Sequence, residues 1–139
     1  MRHAMFFYGM LLDPEQASMS TSDLVGPARI EGRTLALGTY ADAPACREGT
    51  VHGAVWNVSD RMLERLDDIE GEGTLYHRVR DVAILADGSP VQCQLYEMTS
   101  RTREYTEDRP PTDHYVKMIR RGYEQFDLPI SALEEALSQ

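Results

Sequence analysis

The chain has 139 residues, enough for one domain with a substantial core and too few for two, so residues 1–139 are read as a single domain. Hydrophobic residues make up 42% and charged residues 27%, the balance of an ordinary soluble globular protein. A net charge of −9 leaves no clustered basic surface for nucleic acid and no polybasic handle for anionic membranes.

No targeting segment is visible: Ala4-Met5-Phe6-Phe7 is too short for a signal-peptide core, and no run approaches a membrane span. Cys46 and Cys93 lie far apart and outside any CxxC pattern. Buried free thiols in a reducing cytoplasm are therefore expected.

Met5-Phe6-Phe7-Tyr8 reads as a buried strand that stops at Gly9. Asp13-Pro14-Glu15-Gln16 then has the marks of a helix start, an N-cap Asp followed by Pro. The loop between them, Tyr8 to Leu12, can present backbone N–H groups to an anion, and is equally a bland strand-to-helix junction. Ser18 to Asp23 is polar and turn-like. Ala28-Arg29-Ile30 and Thr34-Leu35-Ala36-Leu37 give two extended pieces broken at Gly32. Gly38 to Gly49 lacks periodicity and reads as an irregular loop, long enough to be suspected of function. Within it Tyr40 reads equally as a pocket residue or as an ordinary packing tyrosine.

Val51 to Val58 alternates at period two, as a half-buried strand does. Ser59 caps a helix whose inner face is Met62, Leu63, Leu66 and Ile69, with Asp60, Arg61, Glu64, Arg65 and Asp68 outside. Gly71 is placed to end that helix in a left-handed conformation. Glu70 thus stands at the helix end, beside the buried stripe and ahead of a flexible double-glycine turn. The acidic run Asp67, Asp68, Glu70 and Glu72 has two readings, a solvated helix end or a loop carrying one catalytic carboxylate.

Tyr76 to Leu85 alternates through Val79, Val82 and Ile84, and Val91 to Met98 is its hairpin partner across the turn Ala86-Asp87-Gly88-Ser89. Arg101 to Asp113 is charged and contains prolines, so a loop is expected. Thr112 or Asp113 caps a helix carrying Tyr115, Met118, Ile119 and Tyr123. Ser131-Ala132-Leu133-Glu134 is a capping box opening a short terminal helix. This order of elements indicates an α+β fold with a mostly antiparallel or mixed sheet.

The four histidines, His3, His52, His77 and His114, have no HxH or HExxH spacing, so no metal site is indicated. The acidic run lacks the alternate oxygen ligands and distal Glu of a calcium loop. There is no GxSxG nucleophile elbow, no activated-cysteine signal, no phosphate loop and no dinucleotide fingerprint. An enzyme with this inventory would use one carboxylate and backbone dipoles, with no cofactor. Glu70 is the first candidate.

Tyr8-Gly9-Met10-Leu11 after an apolar strand resembles the YG[ST]L/N signature of the γ-glutamyl cyclotransferase-like (AIG2-like) family. Gly53-Ala54-Val55-Trp56, then Leu66-Asp67-x-x-Glu70-Gly71 and Tyr76, are similar to that family's G-x-V/L-W/Y strand and LDxxEG…Y motif. Tyr96-x-Met98-Thr99, Pro110-Pro111…Tyr115 and Leu128-Pro129 resemble the branch acting on γ-glutamyl amino acids. The resemblance implies a small mixed β-barrel with flanking helices and a pocket at its mouth. It implies release of 5-oxoproline from a small γ-glutamyl compound, the substrate's own α-amine attacking its γ-carbonyl.

On this resemblance Glu70 takes the catalytic acid/base position, and Tyr8, Gly9, Met10 and Leu11 form the loop whose backbone amides hold the substrate. Tyr76 matches the tyrosine after the catalytic Glu, while Tyr96 and Tyr115 are further pocket residues beside Tyr40. Two departures stand out: Met10 replaces the usual Ser or Thr, and Ala41 follows Tyr40 where relatives often carry Pro. Like charges at Asp67, Asp68 and Glu72, with partial burial, are expected to raise the Glu70 pKa above the ordinary value of about 4.3. Arg47, Arg78 and Arg101 are candidates to meet a carboxylate on the leaving group. Three rival readings accompany this one: a γ-glutamylamine cyclotransferase, an enzyme deprotecting a γ-glutamylated biosynthetic intermediate, and a non-catalytic binding module. A monomer or homodimer is expected.

Overall fold

The computed structural model describes residues 1–12, 23–106 and 108–139. The expected helix start at Asp13 to Gln16, and all but the last residue of the turn from Ser18 to Asp23, lie outside these residues. The strands are β1 (Arg2–Phe7), β2 (Leu24–Arg33), β3 (Ala36–Leu37), β4 (Ala41–Asp42), β5 (Ala45–Ser59), β6 (Tyr76–Leu85) and β7 (Pro90–Met98). The helices are α1 (Asp60–Glu70), α2 (Ser100–Thr106), α3 (Asp113–Gln125) and α4 (Ile130–Leu137), and Met10–Leu12 is a single 3-10 turn.

Five strands close into a barrel in the order β1–β5–β2–β6–β7, while β3 and β4 pair as a separate ribbon. Neighbours in the barrel are antiparallel except β1 and β7, which meet in parallel at Met5 and Gln94 and complete the closure. The fold is thus α+β with a small mixed barrel. The opening apolar run supplies its core: Met5, Phe6 and Phe7 are buried and register against Trp56, Val55 and Ala54.

β5 is buried more deeply than its alternation suggests. Gly53 to Trp56 are all buried, because the barrel takes one face of the strand and the flanking elements take the other. Trp56 meets Phe7 at 5.6 Å between ring centroids and Phe126 edge-on at 5.4 Å. The stretch from Gly38 to Gly49, expected as one irregular loop, holds β4 and the first turns of β5. Cys46, Arg47 and Glu48 are exposed there, which removes the apolar alternation that marks a strand. Cys46 is therefore not a buried thiol, whereas Cys93 is. Gly32 does not break the chain into two pieces but sits inside β2 at φ 90°, where a register shift between Glu31 and Arg33 bends the strand.

α1 forms as its sequence indicates. The Ser59 side chain accepts the Met62 N–H at 3.1 Å, and Gly71 closes the helix at φ 63° and ψ 50°. Leu63 and Leu66 are buried, but Ile69 is 48% exposed, because it lies past the barrel wall at the rim of a cavity. On β6 the fully buried place belongs to Ala83, which turns its neighbour Val82 outward.

α2 replaces part of the expected loop from Arg101 to Asp113. Thr99 opens it, its hydroxyl accepting the Thr102 N–H at 3.3 Å and its carbonyl the Arg103 N–H at 3.0 Å. No Gly or Pro interrupts before Pro110, so a charged sequence forms a short helix that buries Thr102 and Thr106. Thr112 caps α3, accepting the Tyr115 N–H at 3.2 Å, and Met118, Ile119 and Tyr123 are buried. α4 has no capping box: it starts at Ile130 behind Pro129, and Ser131 already lies within its first turn. Among the described residues no helix is long and apolar enough to cross a membrane.

Candidate active site

α1 ends at the mouth of the barrel, and left-handed Gly71 reverses the chain there. The Thr74 and Leu75 N–H groups donate back to the Gly71 carbonyl at 2.9 and 2.8 Å, making a compact turn. This turn aims Glu70 into a cavity of about 940 Å³. Tyr8, Gly9, Met10 and Leu11 line the same cavity, as do Tyr40, Tyr76, Tyr96 and Tyr115. The residues singled out in the sequence therefore converge, although they come from six separate segments of the chain.

Burial raises the pKa of Glu70 to about 7. Two of the neighbouring acids expected to contribute, Asp67 and Glu72, are engaged elsewhere. Asp67 pairs with Arg78 at 2.9 Å and accepts the Tyr96 hydroxyl at 2.6 Å, while Glu72 accepts the Arg78 backbone N–H at 3.3 Å. Desolvation is the one cause of the Glu70 shift. Titration centred near neutrality lets one carboxylate both take and return a proton.

The tyrosine hydroxyls are mostly committed to the protein. Tyr8 donates to the Tyr96 carbonyl, Tyr76 to the Ala41 carbonyl at 2.7 Å, and Tyr96 to Asp67. Tyr115 instead accepts the Ala41 N–H at 2.9 Å, which leaves its own proton free for a ligand. Burial holds Tyr8, Tyr76 and Tyr96 well above the ordinary phenol range and Tyr115 at about 12, so all four are neutral. None is a base near pH 7.

Tyr76 and Tyr115 together clamp the Ala41 peptide. Tyr76→Phe leaves the buried Ala41 carbonyl without its partner and is expected to cost about 1–3 kcal/mol. Urea denaturation checks this: the midpoint falls while the slope is unchanged. An unchanged midpoint means that the Tyr76 hydroxyl holds nothing.

Asp42 supports this wall from behind and escaped the sequence reading. It is 4% exposed, accepts the Met98 and Ala43 N–H groups at 3.0 and 2.9 Å, and pairs with Arg103 at 2.7 Å. Its partners other than Ala43 are distant in sequence, so no local pattern marks it. The 3-10 turn adjoins this wall, a Cβ on Gly9 standing 3.0 Å from the Ala41 Cβ, and is closed by Leu12 N–H donating to the Gly9 carbonyl at 3.0 Å. The N–H groups of Met10 and Leu11 stay outside that bond and can meet a ligand. Gly122 of α3 lets the turn approach, since a Cβ on it would stand 2.6 Å from the Leu12 Cβ. Of the three arginines considered, only Arg101 lines the cavity; Arg78 is tied to Asp67 and Gln94, and Arg47 is exposed on β5. Among the described residues no cluster of His, Cys, Asp and Glu could hold a metal.

The family model described as gamma-glutamyl cyclotransferase, AIG2-like, matches residues 5–117. The chain belongs to that family. No curated protein sequence matches it. Among solved structures it is similar to one named gamma-glutamyl cyclotransferase, with TM-score 0.84 and 22% identity over 98% of this chain and 86% of that one. An uncharacterised protein of Homo sapiens gives TM-score 0.83 and 23% identity over 97% of this chain and 86% of its own. An AIG2-like protein of Mus musculus gives 0.62 and 20% identity over 78% and 84%. These likenesses carry the fold.

The γ-glutamyl cyclotransferase-like match includes Glu70 and Tyr115 and stops before Leu128-Pro129. Within this family member the Met10 departure has a clear location: the side chain packs on the core and lines the cavity, so a hydroxyl is exchanged for apolar wall. Thr102, Glu104 and Tyr105 also line the cavity and were missed because α2 was read as loop. The signal was present as Thr99 followed by a run without Gly or Pro.

Proposed function

We propose that this chain is a γ-glutamyl cyclotransferase that releases 5-oxoproline from a γ-glutamyl amino acid or a related small γ-glutamyl compound. The observation that carries this reading is one half-buried carboxylate, Glu70, raised by desolvation to a pKa of about 7 in the lining of a largely apolar cavity. A binding module has no use for such a group.

Glu70 takes a proton from the substrate's α-ammonium. The freed amine attacks the γ-carbonyl carbon, closing a five-membered ring, and the oxyanion faces the Met10 and Leu11 N–H groups. Collapse breaks the bond to the leaving nitrogen, which receives the proton that Glu70 holds. The ring nitrogen then gives its second proton to Glu70, which passes it to the departing amine, so that 5-oxoproline leaves neutral and the amine leaves as an ammonium. Holding amine and carbonyl in attack geometry can supply roughly 7–11 kcal/mol, so no protein nucleophile is required. An ordinary Glu at about 4.3 lies nearly four units below an α-amine at about 8; this mismatch costs on the order of 5 kcal/mol. With Glu70 at about 7 the mismatch shrinks to about one unit, or about 1.4 kcal/mol.

The test is 5-oxoproline release from γ-glutamyl-alanine, γ-glutamyl-ε-lysine and glutathione. Release from any one supports the reaction, and the preferred compound separates the amino-acid branch from the γ-glutamylamine rival. The base form of Glu70 is required, so kcat/KM is expected to rise with pH and level off above about 7. A profile already flat from pH 5 upwards removes Glu70 as the base.

A further inference from the structure

We propose, resting on the reaction given above, that the substrate's leaving group carries a large apolar body of aromatic size, seated at the mouth of the Glu70 cavity. Seven large hydrophobic side chains are exposed among the described residues. Four of them line this one cavity: Tyr40 at 50%, Ile69 at 48%, Leu75 at 50% and Tyr105 at 67%. Exposed apolar side chains scattered singly need no explanation, whereas a contiguous set around a concavity marks a binding surface.

These four do not belong to one amphipathic element. Tyr40 comes from the link between β3 and β4, Ile69 from the end of α1, Leu75 from the Gly71 turn and Tyr105 from α2. Three are held in place. Leu75 lies against Gly71, where a Cβ would stand 3.1 Å from its side chain, so the turn that aims Glu70 also sets Leu75 at the rim. Tyr105 has the Arg109 guanidinium 4.5 Å over its ring, and Tyr40 stands edge-on to Tyr115 at 5.9 Å. Met10, where the family has a hydroxyl, adds to the same apolar wall.

Burial orders the cavity by depth. Tyr8, Tyr76 and Tyr96 are buried at the inner end, Glu70 is half-buried, and the four exposed side chains form the outer end. The γ-glutamyl head brings an ammonium, a carboxylate and the reacting carbonyl, so it belongs beside Glu70 and the Met10 and Leu11 amides. The whole cavity is large: about 940 Å³ lies near the top of the roughly 300–1,000 Å³ that hold drug-sized ligands, and the γ-glutamyl head takes only part of it. Of the substrate, the leaving group is the part that can extend into the rest. Arg101, also at the rim, offers a cation to a leaving group that bears a carboxylate.

The experiment compares kcat/KM for γ-glutamyl-phenylalanine, γ-glutamyl-phenethylamine and γ-glutamyl-alanine. Both phenyl compounds are expected to exceed γ-glutamyl-alanine by about tenfold or more. The phenylalanine derivative leads the phenethylamine one if Arg101 meets the carboxylate. Tyr105→Ala, at an exposed position that cannot upset the core, is expected to lower the phenyl-to-alanine ratio about tenfold, and Leu75→Asn to move it the same way. γ-Glutamyl-alanine turned over as well as the phenyl compounds overturns the inference. If no compound yields 5-oxoproline, calorimetry separates the two claims. Tighter binding of the phenyl compounds than of γ-glutamyl-alanine keeps the apolar subsite and overturns the reaction; equal binding, or none, overturns both.

Discussion

Glu70→Gln is expected to lower 5-oxoproline release by at least about a hundredfold and, above pH 7, to make the protein more stable than wild type. A positioned acid/base group is typically worth roughly 10²–10⁴ in rate, and Gln keeps the shape and polarity while losing the proton. The stability gain follows from the same burial. The Glu70 pKa rises from 4.5 in an open chain to about 7 in the fold, so between these values the folded state binds more protons than the unfolded one. Folding stability from this group therefore falls as pH climbs through that window and stays low above it. A shift of this size corresponds to about 3 kcal/mol at most, and Gln escapes it because it does not titrate. Urea denaturation at pH 5 and pH 8 reads the effect: the variant gains on wild type at pH 8 and much less at pH 5. Equal stability at both values would show that Glu70 is solvated, and retained turnover would show that another group is the base.

What the sequence made legible was local. Ser59, the Leu63 and Leu66 stripe and Gly71 lie within one helix, so spacing was enough to find α1, its ends and the exceptional position of Glu70. The hairpin of β6 and β7 was visible for the same reason, through Asp87-Gly88 between alternating runs. The barrel itself came only through resemblance, because its closure rests on β1 meeting β7, a contact between opposite ends of the chain order. The electrostatic reading of Glu70 reached the right direction by a partly wrong route. Asp67 and Glu72 are neighbours in sequence, yet Arg78 from β6 engages both, which leaves desolvation as the cause. The tyrosines were found as pocket residues, but their hydroxyls bond to Ala41, Tyr96 and Asp67, and no one-dimensional pattern records such partners. Ile69 shows the reverse case. Its helical spacing marked it as core, and the cavity at the barrel mouth left it exposed.

Gly53→Ala is expected to cost more than about 4 kcal/mol, a large share of the roughly 5–15 kcal/mol that stabilises a domain. A Cβ at Gly53 would stand 2.1 Å from the Phe7 carbonyl oxygen and 2.7 Å from the Phe6 ring. Neither can yield cheaply. The oxygen belongs to the backbone of β1, held in register against β5 through Phe6 and Val55, and the ring lies fully buried in the core. The cost is steric and owes nothing to an unusual backbone angle, since Gly53 is not among the glycines with positive φ. Gly88→Ala makes the comparison: its φ is 90° with no atom within 4 Å, so it carries conformational strain alone, about 1–2 kcal/mol. Denaturant midpoints for the two variants separate close approach from backbone freedom. If both cost the same, the contact between β1 and β5 at Phe7 is looser than described. The position also bears on the site, because β1 runs from Phe7 straight into Tyr8 and the Met10–Leu12 turn. Pushing Phe7 off β5 would shift the backbone amides away from Glu70, so any Gly53→Ala protein that folds is expected to lose 5-oxoproline release as well. The glycine that opens the G-x-V-W strand thus serves two ends of one geometry, letting β1 lie close and holding its continuation in the lining of the cavity that Glu70 shares.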